Sequence, residues 1–498
     1  MKILNKEQIL EADKFTIQNE PVLSIDLMER ASEKCCKWIR KNIYFDSKII
    51  IFCGIGNNGG DGLAIARQLK EFKKEVYIFP DKDNYSEDFK TNFEKLSKAN
   101  ISIKTIRNIN SIKEINPKDV IIDAIFGSGL NRPVNGIYGE TINKINKSGC
   151  KIISIDIPSG LFCDSNSTSE NIIKADYTLT FQFPKLSFLF SENEQYTGTW
   201  KVLDIGLHKE FIVHVKTSNY YITKAEISNK IITRKKFSHK GNFGHALLIA
   251  GSFGKMGAAV LASKSCLKSG VGLLTTHIPK VGYDIMQTSI PEAMVSVSNS
   301  KNEITSFPHL EKFSAIAIGP GIGTSKITQI ELKKFLELCK KPLVLDADAL
   351  NIISKNKTLL NFLPENTILT PHPREFDRLT KKHESGYERY LSQIEFSKKF
   401  NVIVILKGAN TSISCPDGIC YFNSTGNPGM STAGSGDVLT GIILSLLSQG
   451  YSPVNSAITG VYIHGLAGDI ACKNESYESL IAGDIINNLG KAFKEFRI

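Results

Sequence analysis

Short apolar runs alternate with amphipathic stretches along most of the chain, which is the pattern of strands and helices in a parallel α/β sheet. In the first half, helical periodicity predicts helices at 5–18 and 22–41, and the second of these carries a continuous apolar face. Strands and helices then follow in turn. The predicted strands are 48–53, 75–79, 101–104, 119–125, 151–157, 177–181 and 199–203, and the helices between them are 63–72, 86–99 and 136–147.

The alternation stops at 205–236, which has no clear period, and then starts again. The elements predicted there include strands at 245–250, 273–278 and 402–406, a helix rich in small residues at 257–269, a hairpin that turns at 416–418, and three closing helices. A chain of 498 residues also exceeds the usual size of one domain. We therefore predict two α/β domains, residues 1–222 and residues 223–498, of which the first is a doubly wound sheet.

The stretch from Gly426 to Gly441 carries five glycines and one aspartate directly before an apolar helix. Free backbone N–H groups and the positive end of a helix dipole collect at such a helix start, which suits a phosphate group. A carboxylate would repel that phosphate, so Asp437 fits a base that orients and deprotonates a hydroxyl attacking a phosphoryl group. The alternative is that Asp437 is an ordinary helix N-cap.

Polar residues also follow the predicted strands of the first half. A glycine loop with Asn57, Asn58 and Asp61 comes after strand 48–53, and Asp123 and Asp156 stand at the ends of two later strands. Because the carboxyl ends of parallel strands line the ligand crevice, we expect Asn58, Asp123, Asp156 and Ser159 to converge. Their oxygens could ligate a cation or bind a ribose or amide. Either aspartate alone could instead be a cap or turn residue.

These motifs resemble one family. The phrases 56–62, 123–133 and 155–161, together with Leu27–Ala31, are similar to the NAD(P)H-hydrate epimerases over residues 1–210. The resemblance implies a Rossmann-like domain in which Asp156 is the acid/base residue, and in which Asn58, Asp123 and Ser159 hold K⁺. Oxygen-only ligands suit such a hard cation. The implied site for the hydrated nicotinamide nucleotide consists of Asn57, Asn58, Gly59, Gly60, Asp61, Gly127, Ser128, Gly129, Leu130, Asn131, Arg132, Pro133 and Asp156.

The second half resembles the ribokinase-like fold, because a Gly-Ser-Gly-Asp motif enters a helix late in the chain. The phrases 239–241, 346–350, 370–373 and 427–430 are similar, within that fold, to the NAD(P)H-hydrate dehydratases over residues 235–495. The resemblance implies that Asp437 is catalytic and that Ala258, Gly321, His372 and Asp437 bind the hydrated cofactor. It places the nucleotide phosphate donor on Lys407, Gly408, Ala409, Asn410, Thr411, Asn427, Pro428, Gly429, Met430, Ser431, Thr432, Ala433, Gly434, Ser435 and Gly436.

The implied chemistry links the two halves. A carbinolamine stereocentre at C6 of the hydrated ring scrambles by ring opening or loss of water, and a nearby carboxylate can supply the proton transfers. Dehydration requires hydroxide to leave, and phosphoryl transfer to that hydroxyl turns it into phosphate. The resemblance favours ADP over ATP as the donor, with Mg²⁺, and it implies that the epimerase supplies the dehydratase with the epimer that it accepts.

Several of these residues keep a second interpretation. His372 could be a packed turn residue, Lys407 could cover a strand end, and Asp346 and Asp348 could cap the following helix. The sequence departs from the dehydratase pattern at Arg374 and Ala433, where glycine is usual. A methyl group at position 433 is tolerable if the backbone φ there is negative.

Composition indicates which partners and which cellular compartment to expect. The net charge of +11 is spread along the chain, so we expect a solvated surface rather than a nucleic-acid site. No apolar run approaches a membrane span, and the ten cysteines form no CxxC pair, which predicts reduced thiols in a cytoplasmic protein without a zinc site. The small-molecule substrates are then the main partners, and both families often self-associate, so we expect a homo-oligomer.

Two other functions compete with this interpretation. A vitamin-precursor kinase of the ribokinase class would share the late glycine-rich segment and aspartate, but it does not predict His239-Lys240-Gly241 or the fused first half. The first domain could also be a non-catalytic nucleotide sensor or scaffold. The presence of Asp123 and Asp156 argues against that hypothesis.

Overall fold

The computed structural model describes residues 1–80, 84–99 and 101–496 of the chain. The chain divides into two compact units. The first unit takes in residues 2–217 with 385–387, and the second unit takes in Met1, 218–384 and the chain from 388 onward. All ten cysteines are free, and nine of them are buried. Among the described residues, no helix combines the length and the apolar character that crossing a membrane requires.

The first unit contains a seven-stranded sheet in which all neighbouring strands are parallel. The short strand β1 (Lys2–Ile3) lies outside this sheet. The seven strands of the sheet are β2 (Ile49–Cys53), β3 (Lys74–Ile78), β4 (Ile103–Thr105), β5 (Val120–Ala124), β6 (Lys151–Ile155), β7 (Tyr177–Phe181) and β8 (Thr199–Leu203). Its helices are α1 (Lys6–Asn19), α2 (Ser24–Asn42), α3 (Asn57–Gln68), α4 (Glu87–Lys98), α5 (Gly136–Asn146), α6 (Glu194–Thr197) and α7 (Lys209–His214).

The strand order β4-β3-β2-β5-β6-β7-β8 confirms the doubly wound prediction. From β2 the chain adds β3 and β4 on one side and then continues with β5 on the other side, so the strand order reverses between β2 and β5. Ligands of such sheets bind where the order reverses. Apolar residues of α2, α3 and α4 cover one face of the sheet, and residues of α5 cover the other. The crevice beyond β2 and β5 is therefore the expected ligand site of this unit.

Helix α3 begins at Asn57, whereas the sequence pattern predicted a loop up to Gly62 and a helix over 63–72. This boundary prediction was wrong because the glycines serve close packing rather than a flexible loop. A Cβ on Gly59 would overlap the carbonyl of Gly54, and a Cβ on Gly62 would lie 2.7 Å from Ala124 Cβ and Cys53 Sγ. The first helical turns therefore press directly against the strands on either side of the switch point.

The second unit has a longer mixed sheet. Its strands are β9 (Asn219–Tyr221), β10 (His245–Ile249), β11 (Leu273–Ile278), β12 (Met294–Val297), β13 (Ala315–Ile318), β14 (Leu343–Leu345), β15 (Ile368–Leu369), β16 (Ile403–Leu406), β17 (Ser412–Ser414) and β18 (Cys420–Phe422). Its helices are α8 (Lys224–Ser228), α9 (Met256–Lys268), α10 (Tyr283–Ser289), α11 (Lys326–Leu338), α12 (Ala347–Lys355), α13 (Pro373–Leu379), α14 (Gly386–Phe400), α15 (Ser435–Ser448), α16 (Pro453–Ala471) and α17 (Ala482–Lys494).

Seven of these strands, in the order β12-β11-β10-β13-β14-β15-β16, form a parallel core, as the alternating pattern predicted. The predicted hairpin is present as β17 and β18, and β9 pairs with β18 in parallel. The stretch 205–236, which showed no period, contains α7, β9 and α8. These elements are too short for a periodic pattern to show. Apolar clusters on both faces of the sheet include residues of α9, α15 and α16 on one side and of α11, α12 and α13 on the other.

We predict that Gly441→Ala destabilises the protein. Gly441 lies inside α15, where an added Cβ would overlap the carbonyl oxygen of Ala262 and the hydroxyl of Ser265 on α9. Overpacking of this kind costs about 1–3 kcal/mol. Thermal melting followed by circular dichroism should show a lower melting temperature for this variant.

The matched control is Gly490→Ala on α17, where an added Cβ meets no atom within 4 Å. Alanine there should leave stability unchanged or raise it by up to about 1 kcal/mol, because glycine is a poor helix former. Equal melting temperatures for the two variants would contradict the packing argument.

Candidate active sites

The crevice of the first unit brings together the residues that the sequence predicted to converge. Asn58 lies in the first turn of α3, and a Cβ on Gly127 would approach its side chain to 3.3 Å. Asp123 belongs to β5 and accepts hydrogen bonds from the hydroxyl of Ser159 at 2.5 Å and from its backbone N–H at 2.9 Å. The loops after β2, β5 and β6 therefore meet at the switch point.

Asp123 is fully buried and well supplied with hydrogen bonds. Ser154 Oγ donates to it at 2.7 Å and the N–H of Ile125 at 3.3 Å, in addition to the two bonds from Ser159. Burial raises the pKa of Asp123, and these hydrogen bonds oppose the rise. Such a carboxylate resists ionisation unless a positive charge lies next to it.

The oxygen atoms around Asp123 fit a monovalent cation. Ser159 Oγ also lies 3.3 Å from the carbonyl oxygen of Phe126, so carboxylate, hydroxyl and carbonyl oxygens share one place beside Asn58. The side-chain nitrogen of Asn58 is a donor that is buried without a hydrogen-bond partner, so it leaves a place for an acceptor atom of a ligand. One carboxylate among neutral oxygens suits a hard ion of low charge.

Asp156 follows β6 and pairs with a lysine that the sequence analysis did not select. Lys185 Nζ lies 2.8 Å from Asp156 Oδ1, and the lysine side chain is only 1% exposed. The N–H of Phe181 also donates to Asp156 Oδ1, at 3.2 Å. The backbone of Asp156 has φ = +63°, an uncommon conformation for a residue other than glycine. Such local strain is frequent at functional sites.

Two further carboxylates belong to this cluster. Burial raises the pKa of Asp13 to about 7, with Asp156 adding to the rise and Lys185 opposing it. Burial also raises the pKa of Asp61 well above its usual range, and the charges of Asp156 and Asp13 add to it. Three carboxylates facing one ammonium cannot all be ionised at low cost, so this crevice holds protons near neutral pH.

Asp13 was missed because it lies among charged residues on α1 and carries no sequence signal. Lys185 could have been found, since it is a lone charge in the apolar stretch 181–190 directly after a strand. The loop residues 127–133 lie at the rim, half-buried to exposed, and the N–H of Leu130 closes a turn onto the carbonyl of Gly127. They border the space beyond β5, where a ligand would enter.

The site of the second unit centres on Asp346 at the end of β14. Lys407 Nζ donates to Asp346 Oδ1 at 3.1 Å, and Thr440 Oγ1 donates to Asp346 Oδ2 at 2.8 Å. Asp346 stands at the N-cap position of α12 but makes no side-chain cap hydrogen bond. Its carboxylate therefore connects β16 to α15 and does not cap a helix.

Asp437 is the third residue of α15, whose N-cap is Gly434, so it is not the N-cap itself. Burial raises the pKa of Asp437 to about 7, with Asp346 adding to the rise and Lys407 opposing it. Gly434 has φ = +86°, and a Cβ there would overlap Leu261. A Cβ on Gly436 would lie 3.4 Å from Lys407 Nζ. The glycine-rich turn thus places the lysine and Asp437 at the same helix start.

The residues expected to bind the hydrated cofactor lie at neighbouring strand ends. A Cβ on Gly321, whose φ is +66°, would lie 3.2 Å from Ala258 Cβ, so these two positions touch. Asp348 Oδ2 accepts the N–H of Gly323 at 2.9 Å and pairs with Lys255 Nζ at 3.1 Å. Asp348 also contributes to the electrostatic field at Asp437, which indicates that both groups face one crevice.

His372 is the N-cap of α13 and is 44% exposed. Its Nδ1 accepts the N–H of Glu375 at 3.3 Å, while Glu375 Oε2 accepts the N–H of His372 at 2.8 Å. Burial, then the charge of Lys407, lowers the pKa of His372. The ring is therefore neutral at pH 7, and the hydrogen bond accepted by Nδ1 places its proton on Nε2, which lies 3.5 Å from Glu375 Oε1.

The two predicted phosphate-binding segments follow β16 and β18. In 407–411, Thr411 Oγ1 bonds both the N–H and the carbonyl of Gly408, which closes a compact turn. Asn427 caps a short turn at 428–430 by accepting the N–H of Gly429 at 3.1 Å. The backbone at Ala433 does not adopt a positive φ, so its methyl group is tolerated. Arg374 is exposed on α13.

The fold and the two crevices define a two-domain α/β enzyme with a Rossmann-like first unit and a ribokinase-like second unit. A family model described as YjeF-related protein N-terminus matches residues 24–187, and one described as NAD(P)H-hydrate dehydratase matches residues 246–491. The chain belongs to the family of bifunctional NAD(P)H-hydrate repair enzymes.

Two similar repair enzymes cover nearly the whole chain, and a similar solved structure covers about half of it. The bifunctional NAD(P)H-hydrate repair enzyme Nnr of Moorella thermoacetica is 33% identical over 98% of this chain and 96% of its own length. The enzyme of the same name from Escherichia coli is 30% identical over 93% of this chain and 88% of its own. A solved ADP/ATP-dependent NAD(P)H-hydrate dehydratase from Bacillus subtilis is 29% identical, covers 56% of this chain and 99% of its own, and has a TM-score of 0.48.

We predict that Asp437→Asn stabilises the protein at pH 8 but not at pH 4. The folded state holds the Asp437 proton up to about pH 7, whereas an unperturbed aspartate releases it near 3.8. Folding stability therefore falls as the pH rises from about 4 to about 7, and asparagine removes this loss, which is worth roughly 4 kcal/mol at ~1.4 kcal/mol per pKa unit.

Thermal melting at both pH values measures the effect. Asp417→Asn is the control, because Asp417 is an exposed turn residue whose carboxylate accepts the N–H of Ile419 at 2.9 Å. A gain for Asp437→Asn that is the same at pH 4 and pH 8 would show that Asp437 does not hold a proton near neutrality.

Proposed function

We propose that the protein repairs hydrated nicotinamide nucleotides: the first domain interconverts the R and S forms of NAD(P)H hydrate, and the second dehydrates the S form to NAD(P)H. The observation that carries the proposal is the pair of crevices, each with a lysine ion-paired to a buried aspartate and further carboxylates at the switch point or strand ends of its own unit. We assign the epimerase to residues 1–222 and the dehydratase to residues 223–498. Family membership supports both activities.

In the first domain, Asp156 is the acid/base residue. It is ion-paired with Lys185, and its carboxylate can accept a proton from the hydroxyl or ring nitrogen of the hydrate. Asp13, with its pKa raised to about 7 by burial, holds a proton that it can return. Asn57, Asn58, Asp61 and the rim loop 127–133 bind the substrate around this pair.

In the second domain, Asp437 takes the proton of the substrate hydroxyl as a phosphoryl group arrives. A carboxyl group with a pKa of about 7 is a far better base at neutral pH than one in water. Lys407 and the backbone N–H groups of 434–436 stabilise the phosphoryl oxygens. The phosphorylated hydroxyl then leaves C6 as phosphate with the electrons of the C–O bond, and the neighbouring ring carbon loses a proton to the released phosphate, so that the double bond forms between the two carbons. His372 offers its Nε2–H to the bound cofactor.

The proposed reactions also require two ions, K⁺ and Mg²⁺, and one nucleotide, ADP. Asn58, Asp123 and Ser159 hold K⁺, which neutralises the buried carboxylate of Asp123. ADP is the phosphoryl donor, on segments 407–411 and 427–436, and Mg²⁺ supplies positive charge to its phosphates. We also propose that the protein is a cytoplasmic homo-oligomer.

We predict that ADP with Mg²⁺ restores the reduced-nicotinamide absorbance from both purified epimers of hydrated NADH. Asp437→Ala should abolish recovery from either epimer, while Asp156→Ala should abolish recovery from the R form only. The assay compares ADP, ATP and no donor under the same conditions.

Each failure of this assay has a distinct meaning. Recovery from the S form alone in the wild-type protein would make the first domain a binding module. A stable phosphorylated alcohol without any recovery would favour a vitamin-precursor kinase. Recovery with ATP but not with ADP would overturn the choice of donor.

We predict that epimerisation, but not dehydration, depends on K⁺. Replacing K⁺ by tetramethylammonium should slow epimerisation at least about 10-fold, because an unpaired buried carboxylate costs more than 1.4 kcal/mol. Ser159→Ala should raise the K⁺ concentration needed for half-maximal rate.

Ser154→Ala is the matched control, since Ser154 also donates to Asp123 but belongs to β6 within the sheet. It should leave the K⁺ requirement close to that of the wild-type protein. Equal K⁺ requirements in all three proteins would remove Ser159 from the cation site.

A further inference from the structure

Helix α16 holds the start of the proposed nucleotide segment through one carboxylate. Asp469 Oδ2 accepts the backbone N–H of Gly426 at 2.9 Å, and Asp469 Oδ1 accepts the side-chain amide of Asn427 at 2.9 Å. Because a carboxylate only accepts, it fixes which way the Asn427 amide points. The Asn427 oxygen then faces the N–H of Gly429, which it binds at 3.1 Å, and it also accepts from the thiol of Cys472 at 3.0 Å.

The same helix contacts the other end of the segment. His464 Nε2 lies 3.3 Å from the hydroxyl of Ser435, the first residue of α15 and two residues before Asp437. Burial lowers the pKa of His464 to about 4, so the ring stays neutral in this contact. His464 and Asp469 are five residues apart, which is about 7.5 Å along one rigid helix. Both ends of the segment 426–435 therefore make polar contacts with helix α16.

Glycines of α16 allow this close approach. A Cβ on Gly465 would lie 2.6 Å from the carbonyl oxygen of Thr425, and a Cβ on Gly468 would overlap the side chain of Met430. The hydroxyl of Thr425 also donates to the carbonyl of Tyr462 at 2.9 Å. The segment lies directly on the helix backbone between its two polar contacts.

We infer that Asp469 is a positioning residue of the dehydratase: it orders the segment 426–430 before the nucleotide arrives, and its loss weakens nucleotide binding. This inference rests on the proposed function, because it presumes that the segment binds the phosphoryl donor. Asp469 does not touch the reacting atoms; it acts through Gly426 and Asn427. A preordered loop binds more tightly because less conformational freedom is lost on binding.

The variant Asp469→Asn tests the inference in the full-length protein. An amide offers one acceptor where Gly426 and Asn427 need two, so one donor must face another donor. We expect the dissociation constant for ADP, measured by calorimetry, to rise about 10-fold, which is the usual effect of losing one charge-assisted hydrogen bond. The KM for ADP should rise with it, while kcat changes less, and epimerisation and the melting temperature should stay as in the wild-type protein.

Asp484→Asn is the matched control, because Asp484 also accepts a backbone N–H, that of Ile481, at the start of α17. It should bind ADP as the wild-type protein does. Unchanged ADP affinity in Asp469→Asn would overturn the inference and leave the proposed function intact. Absence of ADP binding by the wild-type protein would instead overturn the ADP-dependent function, and the inference with it.

An exchange variant decides the case in which Asp469→Asn also loses stability. In Asn427→Asp with Asp469→Asn, the amide at 469 accepts from Gly426 and donates to the carboxylate at 427, which accepts from Gly429. All three hydrogen bonds are restored with the total charge unchanged. Because a carboxylate at 427 adds charge beside the phosphates, Asn427→Asp alone is the reference for this variant. Tighter ADP binding by the exchange variant than by Asn427→Asp supports a positioning role, and equal or weaker binding contradicts it.

Discussion

Both candidate sites depend on one lysine that is outnumbered by carboxylates. The buried Lys185 pairs with Asp156 and lies near Asp13 in the first unit, and the half-buried Lys407 pairs with Asp346 and lies near Asp437 in the second. Burial raises the pKa of the second acid, Asp13 or Asp437, to about 7. Each site thus contains an acid paired with the lysine beside an acid that titrates near neutrality. Proton transfer needs both kinds of group.

In both units the lysine and the carboxylates meet because the fold places strand ends side by side, and not because these residues are neighbours in the sequence. Lys407 follows β16, Asp346 follows β14 and Thr440 lies on α15, so the contact forms only when three distant segments assemble. Such groups are costly to bury unless their partners are already in place. The close packing of α15 on α9 at Gly441, and of α3 on its strands at Gly59 and Gly62, holds the elements that carry these groups.

The sequence was sufficient for the architecture and for most of the residues at strand ends. The hydrophobic period and the positions of the glycines predicted the doubly wound sheet. The resemblance of the second half to the NAD(P)H-hydrate dehydratases predicted the ribokinase-like second unit. The start of α3 was predicted too late, because a glycine-rich stretch looks the same whether it forms a loop or packs tightly as a helix. Asp346 left two interpretations open, and only the contact with Lys407 and Thr440 decided between them. Asp13 and Lys185 were missed, since their role depends on burial and on partners far away in the chain.

The backbone conformation of Asp156 limits how this position can change during evolution. A positive φ is adopted readily by glycine, asparagine and aspartate, and only with strain by longer or branched residues. Glutamate, the nearest chemical substitute, therefore fits the chemistry but not the backbone, while asparagine fits the backbone but cannot accept a proton. Of these residues, aspartate meets both demands of the proposed acid/base role, so a change to glutamate would first require a different turn after β6.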